Sequence, residues 1–526
     1  MRNFQIPGRS AVYGEKHMVA TSHPVASAIA LAVLDDGGNA VDAALAASAA
    51  LCVAEPHMTG IGGDCFVMYA PAGGIPVALN GSGCAPAASD PDRLLADGLL
   101  EIPGNGPHAV TIPGAVDAWC TLHDDYGSLP LDRLFSPAID LARNGCIITP
   151  RVAYDWANQA ARLTESPSAR AFFLPTGTPP QVGDRFANPA LAKTFKLIAD
   201  HGRRGFYEGP VAEHLTTFLQ GQGGVHAVAD FANHASIYMD PIKTAYHDHD
   251  IYECPPNGQG VIALLIINIL QRLGSPSGMT EADRVHLLAE ATKLAYAQRD
   301  AVLADPNQSP DVAHTLLSDD MANLLAGQIN LARARPDQPI EGTEHKDTVY
   351  LCVVDKDGNA ISFINSLFNA FGSFLFDDHT GVLLHSRGTG FKLTAGHPSR
   401  LAPGKRPLHT IIPGVVCQGD KVIAPFGVMG GHYQATGHAN FLTRVLGQGL
   451  DLQQALDLPR SFAYGGPLVL ETGYDETIAA DLASRGHDVV RAPTPLGGGQ
   501  AVWIDHQRGV LIGASDPRKD GCAIGI

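Results

Sequence analysis

The apolar and polar positions divide this chain into a helix-rich first part and a strand-rich second part. In the first part, apolar residues recur at helical spacing and predict helices at 24–34, 40–53, 131–144, 189–199, 261–270 and 282–303. In the second part, short apolar runs predict strands at 382–384, 415–417, 422–423, 468–471, 501–504 and 510–512, with helices at 433–446 and 452–458. The polar stretch 305–347 between the two parts predicts an exposed, mobile linker.

A predicted β-hairpin begins where this linker ends. The strand-like run 348–354 is followed by the turn residues 355–358 and by a second run at 360–366. If Gly358 supplies the positive φ of a three-residue loop, Thr348 lies directly opposite Ser366 across the two strands. An ordinary hairpin with a threonine at its edge explains the same pattern.

A glycine-dense loop, 55–64, precedes the predicted strand 65–69, which the turn 71–74 and the strand 75–79 extend into another hairpin. Such a loop could cradle a phosphate, but it lacks GxGxxG, the Walker lysine and a following helix pattern. We therefore expect a tight backbone turn near a site or a subunit contact.

A second glycine-rich segment, 426–434, runs from a short strand through Gly430 and Gly431 into a helix. Adjacent glycines at a helix start allow two backbone N–H groups to converge, which is what an oxyanion hole requires. A turn selected only for its backbone shape is the alternative interpretation.

Composition narrows the class of protein. The chain has 526 residues, 45% of them hydrophobic and 17% charged, which is typical of a well-packed globular protein. The net charge of −17, with no local cluster of Lys and Arg, argues against a nucleic-acid surface.

The nine cysteines are scattered without a CxxC pair, so we expect reduced thiols and neither a disulfide framework nor a zinc site. The N-terminus has no apolar run, and the segment 261–270 is too short to span a bilayer. These features predict a cytoplasmic protein that does not bind membranes.

Familiar hydrolase motifs are missing. Neither the GxSxG elbow of serine hydrolases nor the zinc motif HExxH occurs. Three histidines lie in glycine-rich or turn-rich contexts, His409, His432 and His438, where a lone histidine is more often structural than catalytic.

Six segments together carry a family resemblance. In chain order they are GGNAVDAA at 37–44, PHMTGIGGD at 56–64, DT at 347–348 followed by VDKDGNA at 354–360, PGKRPL at 403–408, MGG at 429–431 and GASDPR at 513–518. The chain resembles the gamma-glutamyltransferase family of N-terminal-nucleophile hydrolases. Its divergent branch includes oxamate amidohydrolase and acylases that cleave glutaryl groups from cephalosporins.

The resemblance implies an α+β fold, a four-layer αββα sandwich built from both subunits of a self-cleaving precursor. Cleavage between Asp347 and Thr348 would leave a large subunit, 1–347, and a small subunit, 348–526. Thr348 would then be the nucleophile, with its own α-amino group as general base. By the same resemblance Ser366 replaces a threonine that hydrogen-bonds the nucleophile, and Gly430 and Gly431 form the oxyanion hole. No cofactor or metal is implied.

The expected substrate pocket departs from the family pattern. Ser82 stands where the family has arginine, His409 and Thr410 replace two serines, and Phe368 replaces asparagine. At the last two positions, Arg387 replaces glutamine and Gly390 replaces aspartate. The carboxylate that would pair with a substrate ammonium is therefore missing, and a new cation has appeared.

The expected function is that of an autoprocessing amidohydrolase or acyltransferase that cleaves a γ-glutamyl-type peptide or amide through Thr348. One alternative is hydrolysis of another carboxylate-bearing amide, with an oxamate or glutaryl-type acyl group, which the pocket replacements favour over glutathione. The other is an inactive protein that keeps the fold. The expected partners are a small amide, water or an amine acceptor, and the two subunits themselves; an oligomer is compatible with these expectations.

Overall fold

The computed structural model describes residues 8–274, 278–336 and 348–526. The strands are β1 Val12–Gly14, β2 Met18–Ala20, β3 Asp64–Ala70, β4 Val77–Gly81, β5 Cys146–Ile147, β6 Arg185–Phe186, β7 Ile237–Met239, β8 Ile242–Tyr246, β9 His249–Glu253, β10 Val349–Val354, β11 Ala360–Ser366, β12 Phe376–Asp377, β13 Val382–Leu383, β14 Gly414–Gln418, β15 Lys421–Met429, β16 Ser461–Phe462, β17 Leu468–Leu470, β18 Val489–Arg491, β19 Gly498–Asp505, β20 Val510–Ser515 and β21 Ala523–Gly525.

The α-helices are α1 Pro24–Asp35, α2 Ala40–Ala54, α3 Pro91–Ala96, α4 Ala115–Tyr126, α5 Leu131–Asn144, α6 Pro150–Asn158, α7 Ala160–Leu163, α8 Pro167–Phe173, α9 Pro189–His201, α10 Arg204–Tyr207, α11 Pro210–Gly221, α12 Val228–Ala232, α13 Gly260–Leu273, α14 Glu281–Val302, α15 Val312–Leu316, α16 Asp319–Ala326, α17 Gln434–Leu442, α18 Leu452–Asp457 and α19 Glu476–Ser484. Short 3₁₀ turns occur at Pro107–Ala109, Arg387–Gly390 and Gly431–Tyr433, and a π-helical turn at Thr443–Gly447.

Two seven-stranded sheets form the centre of the molecule. The first has the order β1-β20-β19-β15-β14-β9-β8, and the second has the order β21-β2-β10-β11-β3-β4-β7. Neighbouring strands in both sheets run antiparallel. Each sheet combines strands from before and after the position 347, so neither part of the chain forms a sheet alone.

The sheets pack face to face and helices cover both outer surfaces. The inner layer is apolar and combines residues of the second sheet with residues of the first, among them Phe66, Tyr350, Ile364, Val415, Met429 and Val502. Helices α1, α2, α4, α5 and α9 contribute to the core outside the second sheet. Helices α13, α14 and α17 contribute to the core outside the first. The predicted αββα sandwich is confirmed.

The hairpin β10–β11 has the predicted register. Val349 pairs with Asn365 and Val354 with Ala360, which sets Thr348 opposite Ser366. The turn also matches the prediction, because Gly358 has a φ of 85°. Both faces of β10 are buried, since alternate residues enter the core between the sheets and the core beneath the helices.

Asp355 forms hydrogen bonds with both the turn of this hairpin and the start of α2. One carboxylate oxygen accepts from the amides of Asp357 and Asn359, both at 3.0 Å. The other accepts from the Ala40 amide at 3.0 Å. That amide is one of the donors that an α-helix cannot satisfy within itself. The carboxylate therefore holds the hairpin against the start of α2.

Part of the segment that was expected to be an exposed linker is helical. Residues 312–316 and 319–326 form α15 and α16. Their few apolar side chains, including Leu316 and Leu325, are buried against α13 in the core outside the first sheet. The expectation was wrong there because sparse apolar residues at helical spacing are enough for two short helices. Residues 337–347 lie outside the described residues.

Two other elements differ from their sequence patterns. The predicted strand 422–423 is only part of β15, which continues to Met429 through Pro425 and Gly427. At Gly427 the ring of Tyr350 leaves no space, since a Cβ would lie 2.3 Å from it. The predicted helix 433–446 is divided into a 3₁₀ turn, α17 and a π turn. Within the described ranges, no helix combines the length and apolar character needed to cross a membrane.

Replacing Asp355 should destabilise the fold. Asp355→Ala leaves the Ala40 amide without its acceptor and loosens the turn, so we expect the free energy of unfolding to fall by about 2 kcal/mol in urea denaturation followed by circular dichroism. The matched control is the exposed Asp357→Ala in the same turn, which should change stability by less than about 0.5 kcal/mol. Equal losses in both variants would contradict the anchoring role.

Candidate active site

Two hydroxyl groups meet at the start of β10. Thr348 is buried, with 1% of its surface exposed, and its Oγ1 lies 3.0 Å from Ser366 Oγ. The Phe368 amide donates to Ser366 Oγ at 2.9 Å. Because this amide occupies one acceptor position of Ser366, the serine can direct its own proton toward Thr348.

The glycine pair follows β15, which packs against the hairpin of β10 and β11. Ser362 Oγ, midway along β11, donates to Phe426 O at 3.1 Å, and the next residue of β15 packs on Tyr350. β15 ends at Met429, and the ring of His432, which follows the two glycines, lies 6.1 Å from the Phe368 ring beside the hydroxyl pair. The two glycines have φ values of 123° and 57°, which other residues rarely adopt. A turn of this kind can expose successive backbone N–H groups.

Arg387 is a buried cation next to the hydroxyl pair. Its guanidinium carbon lies 3.9 Å from the centre of the Phe368 ring, and Nη1 donates to Thr410 Oγ1 at 2.9 Å. The side chain is fully buried. Within the described part of the chain, its Nε and Nη2 atoms have no hydrogen-bond partner.

The charge of this arginine is costly in the absence of an anion. Burial lowers the pKa of the Arg387 guanidinium to about 9, although the Asp64 carboxylate opposes this shift. The group is still protonated at pH 7 and keeps two unused donors. A carboxylate is the ligand that satisfies both the charge and the geometry of these donors.

Asp64 does not neutralise Arg387, because its oxygens are already engaged. One oxygen accepts from His409 Nε2 at 2.9 Å and lies 3.4 Å from His385 Nδ1. The other accepts from the amides of Gly83 and Gly114 at 3.0 and 3.2 Å. Burial alone would raise the pKa of Asp64, but the contacts with His385 and His409 hold it well below its ordinary value.

His409 is a neutral group close to Arg387. Burial and the charge of Arg387 lower the pKa of its ring to about 3, so the ring is neutral at pH 7. Nε2 donates to Asp64, and Nδ1 accepts from the Ile411 amide at 3.4 Å. Both nitrogens are therefore used within the protein.

Ser82, predicted to contact substrate, belongs to an adjacent polar network. Its hydroxyl donates to Asn80 Oδ1 at 2.7 Å and accepts from Asn257 Nδ2 at 3.2 Å. The contacts thus join Thr348, Ser366, Phe368, Arg387 and Thr410 into one group. His409 lies beside this group, and Ser82 precedes Gly83, whose amide donates to Asp64. Asp347, the predicted cleavage residue, lies outside the described residues.

Gln259 was missed by the sequence patterns and connects the two halves of the site. Its Nε2 donates to Thr410 O at 2.9 Å and to Gly431 O at 3.0 Å. Its Oε1 accepts from Arg299 Nη1 at 2.8 Å, and the same arginine nitrogen lies 3.0 Å from His432 Nδ1. A glutamine in a loop carries no chemical signature, so only the fold reveals this role.

The arrangement suits attack by a hydroxyl group on a carbonyl carbon. The imidazole and carboxylate groups beside Arg387 are paired with one another. Among the described residues, the group that meets the distances for a metal ion lies elsewhere, at His286, Glu290 and His487.

The αββα sandwich is the fold of the N-terminal-nucleophile hydrolases. Residues 26–526 match the profile of the family described as gamma-glutamyltranspeptidase, and the chain belongs to this family of hydrolases and transferases.

Relatives and solved structures agree with this assignment. The chain is 37% identical to a glutathione hydrolase-like YwrD proenzyme of Bacillus subtilis, over 98% of this chain and 99% of the relative. It is 35% identical to an oxamate amidohydrolase proenzyme of Klebsiella pneumoniae, over 97% and 98%. A crystal structure of a cephalosporin acylase from Bacillus halodurans superimposes with a TM-score of 0.93 at 36% identity, covering 100% of this chain and 99% of that one.

Gln259→Leu should impair amide turnover without unfolding the protein. The substitution removes the donor to Gly431 O and Thr410 O, so we expect kcat/KM to fall at least about tenfold, or 1.4 kcal/mol of transition-state stabilisation. Activity assays on the purified protein with an amide substrate measure this effect.

The matched control is Gln453→Leu. Gln453 is also buried and also bridges backbone groups, with bonds to Ser515 O at 2.9 Å and from Ser515 N at 3.1 Å, away from the site. This variant should lose stability but retain its kcat/KM. Similar activity losses in the two variants would show that Gln259 acts only through stability.

Proposed function

We propose that the protein is a precursor that cuts its own chain between Asp347 and Thr348 and then uses Thr348 as the nucleophile of an amide-cleaving enzyme. The observation that carries this proposal is the buried contact of the Thr348 and Ser366 hydroxyl groups at the start of an inner strand. The names of the two curated relatives, both proenzymes, support it.

The proposed chemistry needs few groups. Once freed, the α-amino group of Thr348, with an ordinary pKa of about 8, can take the proton of the Thr348 hydroxyl. The oxygen attacks the amide carbonyl, and the N–H groups at Gly430 and Gly431 stabilise the resulting oxyanion. The amine leaves with the proton. The Thr348 ester is then cleaved by water, giving an acid, or by an amine acceptor, giving a new amide.

We further infer that the acyl group carries a carboxylate and no ammonium group. Arg387 offers two unused donors in a buried pocket. Asp64, the carboxylate whose charge acts on Arg387, is engaged by His409 and His385, and Gly390 has no side chain to hold an ammonium group. A glutaryl- or oxamyl-type amide therefore fits better than the zwitterionic end of glutathione, in line with the relatives named for oxamate and cephalosporin.

Self-cleavage can be tested on the purified protein. We expect mass spectrometry and denaturing gels to show chains of 347 residues and of 526 − 347 = 179 residues. The Thr348 hydroxyl attacks the Asp347 carbonyl, the peptide C–N bond breaks as an ester forms, and water then hydrolyses this ester to leave a free carboxylate and a free α-amino group. Thr348→Ala should remain one chain of full length. Ser366→Ala, which retains the nucleophile, should mature more slowly but at the same bond. Wild-type protein that stays intact for days, or unchanged maturation of Thr348→Ala, would refute the proposal.

The role of Arg387 can be tested with a panel of acyl donors. Arg387→Ala should raise KM for a glutaryl or oxamyl amide more than about tenfold, because it removes a charge-assisted hydrogen bond. Arg387→Lys, which retains the charge without the planar fork, should lie between this variant and wild type.

A γ-glutamyl anilide provides the comparison substrate. We expect the wild-type enzyme to cleave it less efficiently than the glutaryl anilide, which differs only by lacking the α-amino group. If the glutaryl amide were cleaved equally well before and after the Arg387→Ala change, the proposed carboxylate pocket would be wrong.

A further inference from the structure

A second cluster of reactive side chains lies away from Thr348, between α14 and the turn after α19. His286 and Glu290 are one turn apart on this helix, and His487 comes from the turn after α19. All three side chains are buried, at 0%, 0% and 4% exposure. Their potential ligand atoms lie within 4.8 Å of one another.

We propose that His286, Glu290 and His487 bind a divalent first-row metal ion such as Zn²⁺. Two imidazole nitrogens and one carboxylate oxygen form a donor set that zinc commonly uses, with water in the remaining positions. The spacing of cysteines could not indicate this site, because its donors are histidines and a glutamate from distant parts of the chain.

The surroundings of His286 orient it as a ligand. Its Nε2 donates to the backbone carbonyl of Asn330 at 2.8 Å, which leaves the Nδ1 lone pair facing His487. A backbone carbonyl that accepts from the second ring nitrogen is the usual partner of a metal-binding histidine.

His487 can release its nitrogen without a change in charge. Its Nε2 lies 2.8 Å from His286 Nδ1, so one proton is shared between the two rings when no ion is bound. The Nδ1 atom of His487 has no hydrogen-bond partner in the described ranges. Moving the proton to that nitrogen frees Nε2 for the ion, and the ring remains neutral.

The distance between the two nitrogens indicates the geometry. With metal–nitrogen bonds of about 2.05 Å, a separation of 2.8 Å corresponds to an angle of roughly 85° at the metal. This angle suits neighbouring positions of a five- or six-coordinate ion. A tetrahedral ion would separate the nitrogens to about 3.3 Å, which requires only a small outward movement of the rings.

Glu290 supplies the negative charge. Its Oε2 accepts from the Arg335 amide at 3.0 Å, and its Oε1 lies 3.2 Å from Lys293 Nζ. Lys293 also donates to Arg335 O at 3.1 Å, so it retains an acceptor when Oε1 turns toward an ion. Lys293 and Arg335 also line a cavity of about 260 Å³.

The site would join the two parts of the precursor. His286 and Glu290 precede the proposed cleavage point and His487 follows it. If the proposed cleavage occurs, the bound ion links the large subunit to the small one through three coordinate bonds.

Metal binding is tested on the purified protein with all 526 residues present, whether cleaved or intact, after it is stripped with a chelator and titrated with Co²⁺ as a spectroscopic probe. We expect one Co²⁺ per 526 residues, visible d–d absorption and displacement by Zn²⁺, with metal analysis after gel filtration confirming the ratio. His487→Ala and Glu290→Gln should each bind Co²⁺ at least about tenfold more weakly. The control His201→Ala, an exposed histidine on α9, should bind like wild type.

Thermal unfolding adds a second measurement. Zn²⁺ should raise the Tm of wild type and of His201→Ala, but not that of His487→Ala. Folded wild-type protein that holds no stoichiometric Co²⁺ or Zn²⁺, or binding that is equal in wild type and both ligand variants, would overturn the proposal. The uncleaved Thr348→Ala variant should bind one ion as well, so failure of the cleavage proposal is distinguishable from failure of the metal site.

Discussion

The register between β10 and β11 is the constraint on which the rest of the site depends. A slip of one residue would reverse the faces of β10, and each face is buried in a different core. Tyr350 would leave the space opposite Gly427, and Thr348 would lose Ser366. The register is maintained by side-chain volume on both faces and by Asp355 at the turn, which also binds the first amide of α2. The position of the hydroxyl pair is thus a consequence of the packing of the whole sandwich.

The second constraint is electrostatic. Arg387 is buried beside a carboxylate that nevertheless does not pair with it, because Asp64 is held by two imidazoles and two amides. Thr410 and the face of Phe368 satisfy part of the guanidinium and leave two donors unused. An arginine kept in this state costs stability, and this cost is understandable if Arg387 has the carboxylate-binding role proposed above. Because the Phe368 amide also donates to Ser366, Arg387 and the hydroxyl pair contact the same residue.

Local patterns predicted the features that local contacts determine. The helix 131–144 has the bounds that apolar spacing predicts, and the hairpin register follows from a glycine turn between two apolar runs. Contacts between distant residues could not be predicted in this way. Asp64 and His409 are 345 positions apart, and Gln259 is recognisable only by the two carbonyls that it joins. The length of β15 was missed for the same reason. Its internal glycine, Gly427, is explained by the ring of Tyr350, which is distant in sequence.

Interleaving of the two parts of the chain explains how such a fold could tolerate a break near position 347. In the second sheet, β10 lies between β2, from the first part, and β11, from the second, while β11 pairs in turn with β3. In the first sheet, β14 pairs with β9. Separating the parts would therefore expose the apolar residues between the sheets and the backbone groups of several strands. The free energy that this would cost is far greater than the free energy that the chain gains in entropy when one peptide bond is cut. A new terminus at Thr348 can appear inside the sandwich because the sheets, and not the covalent link, hold its surroundings in place.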